Sequence, residues 1–264
     1  MMTLKHGLSG LMTNIIKNLL CCLALVGVLT SHAFADEKPI YRVGIENVDY
    51  YPMFTKKEER NKTGFLIEVM ELFAQQRGIE FEYIHLPITR FDEWYQRDNI
   101  DFRLPDNPLW NQNTHNLIYS EDIIKLGSDT VVLKKNQSTP MSNLKVIGSL
   151  YGFVPASHWR ERVNSGNTTF IYENSMRVLI HMLAKGMVDG LDVNLSVVHH
   201  YAKELGYDTD DFAVSSKAPN YRYTYALSTI SHPEIIKDFD AFLVTSHNEI
   251  SLLKQRKDIF DSKQ

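Results

Sequence analysis

Twice along this 264-residue chain, a short β-rich run gives way to helical spacing and then to another β-rich run. Residues 41–45 alternate as a strand does. Residues 64–76 place Phe65, Val69, Leu72, Phe73 and Gln76 along one side of a helix, and Gly78 stands where a helix-ending glycine belongs. Strands at 80–85 and 100–104 follow, with a short helix at 90–97 between them. The order then recurs: strand 144–148, helix 155–163, strand 169–172, a helix capped by Ser175 and closed by Gly186, strand 187–193, a helix over 195–205, and strand 212–215. Alternation of this kind predicts parallel sheets covered by helices, and its recurrence predicts two similar α/β lobes. The tail is different. Pro233 opens a helix carrying Ile236, Phe239, Phe242 and Leu243, and Ser246 with Glu249 has capping-box spacing ahead of Ile250, Leu252 and Leu253.

The first 35 residues are set apart. Lys5 and Lys17 are the only Lys or Arg there, no acid precedes Asp36, and an apolar run over 19–28 leads to Ser31, Ala33, Phe34 and Ala35. A basic start, a short apolar core and an A-x-A end describe a secretory signal peptide, with cleavage expected between Ala35 and Asp36. The core is well short of the ~20 residues of a spanning helix. Cys21 and Cys22 both lie in this segment, so the exported chain is expected to hold no disulfide, thiolate nucleophile or cysteine metal site. A secreted domain without disulfides must hold itself together by burial, and roughly 230 residues suffice for that.

Setting aside Lys5 and Lys17 leaves 26 basic residues against 32 acidic ones, a net of −6. That balance offers nothing to a phosphate backbone, so no nucleic-acid partner is expected. No later apolar run approaches membrane-spanning length.

In open parallel sheets, ligands sit beyond the carboxyl ends of the strands. The loops there carry Asp49, Tyr50, Tyr51 and Pro52; then Pro105, Asp106, Asn107 and Trp110; then Ser149, Tyr151, Gly152 and Phe153; then Asp192 and Asn194. Aromatics mixed with short polar groups suit a site with apolar walls and a few orienting hydrogen bonds. With two lobes, both sets of loops can face one cleft that closes by a hinge motion.

Each candidate has a plainer alternative. Arg90 either holds a ligand carboxylate or pairs with Asp92 or Glu93. Arg103, inside a strand, either faces the cleft or belongs to a buried pair. Asp106, Asn107 and Trp110 either bind or serve the turn chemistry of Asp-Asn-Pro. Tyr50, Tyr51 and Phe153 either wall the ligand or pack. Gly152 either admits a close approach or is a turn glycine. Asp192 is favoured over Asp189, which reads as a cap within its lobe. His199 and His200 are adjacent on a helix and point apart, so they do not suggest a shared metal. The charged stretch 56–62 reads as an exposed loop. No nucleophile-elbow, phosphate-loop or zinc-helix motif is present.

These pieces resemble a known family. Arg42-Val-Gly-Ile45 with Tyr51-Pro52, Thr63-Gly-Phe65 with Glu68, Ile100-Asp-Phe102, Ile118-Tyr-Ser120 and Leu183-Ala-Lys-Gly-Met-Val-Asp189 fall in the order and spacing of the type 2 periplasmic solute-binding proteins, in particular the amino-acid-binding (family 3) group. The resemblance implies a Venus-flytrap shape: lobe 1 from residues 36–126 and 222–264, lobe 2 from 127–221, and crossing segments near 124–131 and 221–227. It implies a periplasmic, monomeric protein without a cofactor or catalysis. Such a protein captures a small polar molecule for an ABC-transporter permease or a membrane sensor; a dehydratase-like enzyme on the same fold, using Asp106 or Asp192 as acid or base, is the remote alternative. Two departures bear on the ligand. The family's Thr-x-x-Arg would place its Arg at Asn113, and its ammonium-binding acid would fall at Asn194. Both charge partners of an α-amino acid are thus replaced, with Arg90, Arg103 and Asp192 as nearby substitutes.

Overall fold

The first strand, β1 (Ile40–Glu46), lies between β2 (Glu80–Leu86) and β3 (Phe102–Asp106) and runs parallel to both. The computed structural model describes residues 38–56, 63–111, 116–219 and 221–260. The proposed export segment, most of the charged stretch 56–62 and Asn113 therefore lie outside the described residues.

Helix α1 (Phe65–Arg77) connects β1 to β2 and buries Phe65, Leu66, Val69, Met70, Phe73 and Ala74. Gly78 ends it in the left-handed region at φ 71°, its N–H donating to Ala74 O. A 3-10 segment (Ile88–Glu93) and the single turn of α2 (Trp94–Arg97) then lead to β3. β3 starts two residues later than its sequence pattern predicts and continues through Pro105 to Asp106. Asn99 takes a positive φ of 50°, and Asp101 meets the start of β1 by accepting from Arg42 N at 2.7 Å.

The second lobe repeats the plan. β6 (Val146–Leu150) lies between β7 (Thr169–Glu173) and β8 (Gly190–Val193), parallel to both. Helices α3 (Ser157–Asn164), α4 (Met176–Ala184) and α5 (Leu195–Glu204) connect or follow these strands. β6 begins two residues later than expected because a 3-10 turn (Met141–Asn143) precedes it, and β8 begins at Gly190. Asp189 sits at that entry and accepts from Lys145 N and Val146 N at 2.7 and 2.8 Å, so it caps the sheet. Ser175 precedes α4 but makes no side-chain cap bond.

Two long strands join the halves. β5 (Ile124–Leu133) pairs through 124–128 with β10 (Tyr221–Thr229), then through 129–131 with β8 and through 131–133 with β9 (Phe212–Val214). β10 continues past that ladder to pair with β3 and with β4 (Ile118–Tyr119), all antiparallel. The strand order β2-β1-β3-β10-β5-β8-β6-β7 is thus two parallel triplets bridged by an antiparallel pair.

Two helices complete the first lobe, α6 (Pro233–Thr245) and α7 (His247–Arg256). Phe239 of α6 meets Phe73 of α1 at 5.0 Å between ring centres. The capping box expected at Ser246 does not form. Its side chain makes no cap bond, while its N–H donates to Phe242 O and its C=O accepts from Ile250 N, so backbone bonds carry the chain from α6 into α7.

Candidate ligand-binding cleft

The carboxyl ends of both parallel triplets open on one cleft of about 610 Å³, within the size range of small-molecule sites. From lobe 1 come Glu46 at the end of β1, Tyr50 after it, the 3-10 segment with Ile88, Arg90 and Phe91, and Asn107 with Trp110 after β3. From lobe 2 come Gly152, Phe153 and the start of α3, together with Asp192 and Asn194 at the end of β8. β10 contributes Tyr221, Tyr223 and Tyr225. Their alternation is the strand period of two, which puts all three side chains on one face.

Tyr50 is 1% exposed, and its hydroxyl accepts from Asn194 N at 2.9 Å. Its ring meets Phe153 edge-on at 5.1 Å. Tyr50, Tyr223 and Tyr225 are linked by side-chain hydrogen bonds, Tyr50 to Tyr223 and Tyr223 to Tyr225. Burial raises all three phenols well above their ordinary range, so they stay neutral. Trp110 stands edge-on to Phe91 at 6.1 Å and to Tyr225 at 5.9 Å.

The polar groups at the strand ends are fixed by local bonds. Asn107 caps the 3-10 turn through Leu109 N at 2.8 Å and donates to Thr224 O at 2.8 Å. Asn194 caps α5 through Ser196 N at 2.9 Å and donates to Gly127 O at 3.2 Å. Asp192 accepts from Ala156 N at 2.9 Å, just before α3, while the Ser149 hydroxyl donates to the Asp192 carbonyl at 3.2 Å.

Tyr50, Arg90, Asn107, Trp110, Gly152, Phe153, Asp192 and Asn194 therefore share the cleft. The structure places the other candidates elsewhere. Arg103, 2% exposed, pairs with Asp106 and donates to Phe91 O at 3.0 Å, so both charges are locked together within the lobe. Ser149 is buried beside β8, and Tyr151 is largely exposed. Tyr51 packs against His200, with 4.3 Å between ring centres. Arg90 pairs with Asp98 at 3.8 Å rather than with Asp92 or Glu93; Glu93 takes Arg97 instead. Among the described residues no cluster of His, Cys, Asp or Glu could hold a metal ion.

Sequence reasoning missed Glu46 and the β10 tyrosines. Glu46 is 4% exposed and lines the cleft. Burial, and secondarily Asp106, pushes its carboxyl up to about 8.

The lobes touch at several points. Asp49 meets Arg177 of α4 at 3.1 Å, and Arg177 also holds Glu204. Gly152 lies so close to Ile88 that a Cβ there would stand 2.3 Å from Ile88 Cγ2.

This is the architecture of the two-lobed periplasmic solute-binding proteins of the amino-acid-binding type. No family model matches the sequence, and no curated protein matches it. Solved structures match the fold. An ancestral arginine-binding protein bound to arginine aligns with a TM-score of 0.65 at 16% identity, over 83% of this chain and 98% of its own. A substrate-binding protein of an ABC uptake transporter from Streptococcus pneumoniae, with bound histidine, aligns with a TM-score of 0.64 at 13% identity, over 83% and 92%. The BvgS VFT2 domain of Bordetella pertussis aligns with a TM-score of 0.64 at 16% identity, over 84% and 94%. Among the described residues no helix is long and apolar enough to cross a membrane.

Proposed function

We propose that this chain is an exported solute-binding protein that closes its lobes on a small polar molecule and hands it, unchanged, to an ABC-transporter permease. The observation that carries this reading is the cleft itself, lined from both lobes by fixed amides, phenols and aromatic rings. The likeness to substrate-binding proteins of transporters supports it. With the crossing strands as the joint, lobe 1 comprises residues 36–126 and 222–264, and lobe 2 residues 127–221. Asp106 and Asp192, the two carboxylates considered for acid–base chemistry, are both engaged in local hydrogen bonds, which favours binding over catalysis.

A thermal-shift screen of metabolites tests this, because a ligand that binds the folded form alone raises Tm. Expected is a hit recovered chemically intact after incubation. Turnover of the hit, or the absence of any hit across a broad panel, overturns the proposal. The likeness to the BvgS domain supports a sensory variant of the same closure. Association of the liganded protein with a membrane receptor instead of a permease would establish that variant.

A further inference from the structure

We propose that the guest is an organic ammonium ion lacking a carboxylate, its cationic end seated against Glu46. This rests on the reading of the cleft as a solute site and names the chemistry that the site selects.

Glu46 ends β1 in the cleft wall, 4% exposed. Among the described residues its carboxyl has no hydrogen-bond or ion-pair partner. A buried carboxyl without a partner is costly, and the protein leaves this one turned to the space a guest would occupy. Among the described residues no basic group pairs with it. Arg103, the basic group on neighbouring β3, is committed to Asp106 and Phe91 O. Arg90 is partly exposed and paired with Asp98, and Arg160 is exposed at the start of α3. Across the cleft stands another carboxylate, Asp192.

The walls suit the same guest. Tyr50, Trp110, Phe153, Tyr223 and Tyr225 surround the cleft with neutral aromatic rings, whose electron-rich faces attract an ammonium or alkylammonium group. A guest carboxylate would face the Asp192 carboxylate, while the buried guanidinium of Arg103 is already committed to Asp106. An α-amino acid thus gains at one end and loses at the other, whereas an amine or quaternary ammonium compound only gains.

Binding is then coupled to a proton. The groups facing Glu46 are Asp106 with its partner Arg103 on β3, Tyr225 on β10, and, around the same cleft, Arg90, Asp92, Glu93, Arg160 and Asp192. With its carboxyl pushed up to about 8, Glu46 is protonated in the empty protein at neutral pH. A cation stabilises the carboxylate, so the proton leaves as the guest enters. Affinity should rise about tenfold per pH unit between roughly 6 and 8 and level off above.

Calorimetric titration of the full chain tests this with choline, cadaverine, lysine and glutamate at pH 6, 7 and 8, in two buffers of different ionisation enthalpy. Cadaverine is lysine without its carboxylate, and choline represents the quaternary class. Expected is binding of cadaverine or choline, at least about tenfold tighter than lysine, with close to one proton released at pH 7 and a loss on the order of 100-fold in Glu46→Gln. Proton release by the wild-type protein is read independently of that variant. Lysine or glutamate binding more tightly than both amines, or an amine binding equally well to Glu46→Gln, overturns the inference while leaving solute capture standing. No binding by these probes together with a hit from the metabolite screen that is not a cation does the same. No binding by any solute overturns both.

Discussion

Arg103 and Asp106 lie three residues apart on β3 and close on each other, with Nη2 and Nε of Arg103 at 2.6 and 2.8 Å from the same Asp106 oxygen. Ser228 Oγ also donates to that oxygen at 2.5 Å, and Asn107 N donates to the other carboxylate oxygen at 2.6 Å. The Arg103 guanidinium lies 3.9 Å above the Phe91 ring, on the segment that borders the cleft. Removing one member of such a pair strands the other without water. Asp106→Ala should cost about 3–5 kcal/mol in urea unfolding. A loss below about 1 kcal/mol would show that the pair is not a structural unit.

Gly152 should govern how closely the lobes approach. Its φ of +94° disfavours a side chain, and the space beside it is filled by Ile88 from the opposite lobe. Gly152→Ala is expected to hold the cleft ajar and weaken ligand affinity by roughly tenfold or more. Adding Ile88→Ala removes the methyl group that collides and should restore part of the loss. Affinity measured on the wild type and both variants checks this; no recovery in the double variant would place the effect in backbone strain alone.

Tyr50→Phe deletes the acceptor of a buried N–H. Asn194 is 1% exposed, and its amide has the Tyr50 hydroxyl as partner. The cost is about 1–3 kcal/mol, borne by contact between the lobes rather than within either. Ligand affinity should fall, and hydrogen exchange at the Asn194 amide should quicken. Unchanged exchange would show that the bond is not formed in solution.

Glu46 gives the empty protein a pH dependence of known sign. Its folded carboxyl titrates near 8, while an unfolded Glu titrates near 4.3. The folded state therefore holds an extra proton between these values, and stability falls as pH rises across that window. Glu46→Gln removes this slope. Its Tm should gain on the wild type steadily from pH 5 to pH 8, as thermal scans without ligand would show. Parallel Tm curves for the two proteins would contradict the raised carboxyl.

Much of the fold was legible because local patterns agreed with long-range ones. The apolar spacing of α1 and its glycine stop, and the two runs of strand and helix, each pointed to the same parallel sheets. The strand limits were less legible. Pro105 reads as a stop because it lacks an N–H, yet β3 runs through it to Asp106. Arg103 looked available because its partner, three residues on, lay among the loop candidates. Glu46 is less legible because the alternating β pattern stops at Ile45, which puts this residue at the seam between strand and loop. The signal was a lone carboxylate directly after an apolar strand, at the carboxyl end where such sheets bind. The tyrosines at 221, 223 and 225 carry a period of two that marks one wall, but they fall in a segment whose first role is to cross between the lobes.

The ladder between β5 and β10 constrains what kind of movement this molecule can make. Sliding one strand along the other would break the bonded pairs from Tyr221–Ser128 to Tyr225–Ile124 all at once, whereas twisting the ribbon keeps every one of them. Motion is channelled into torsion, as in a strap of two stitched cords. Any change in the angle between the two parallel triplets can then return the same rings and amides to the same positions without any part of the chain having to refold.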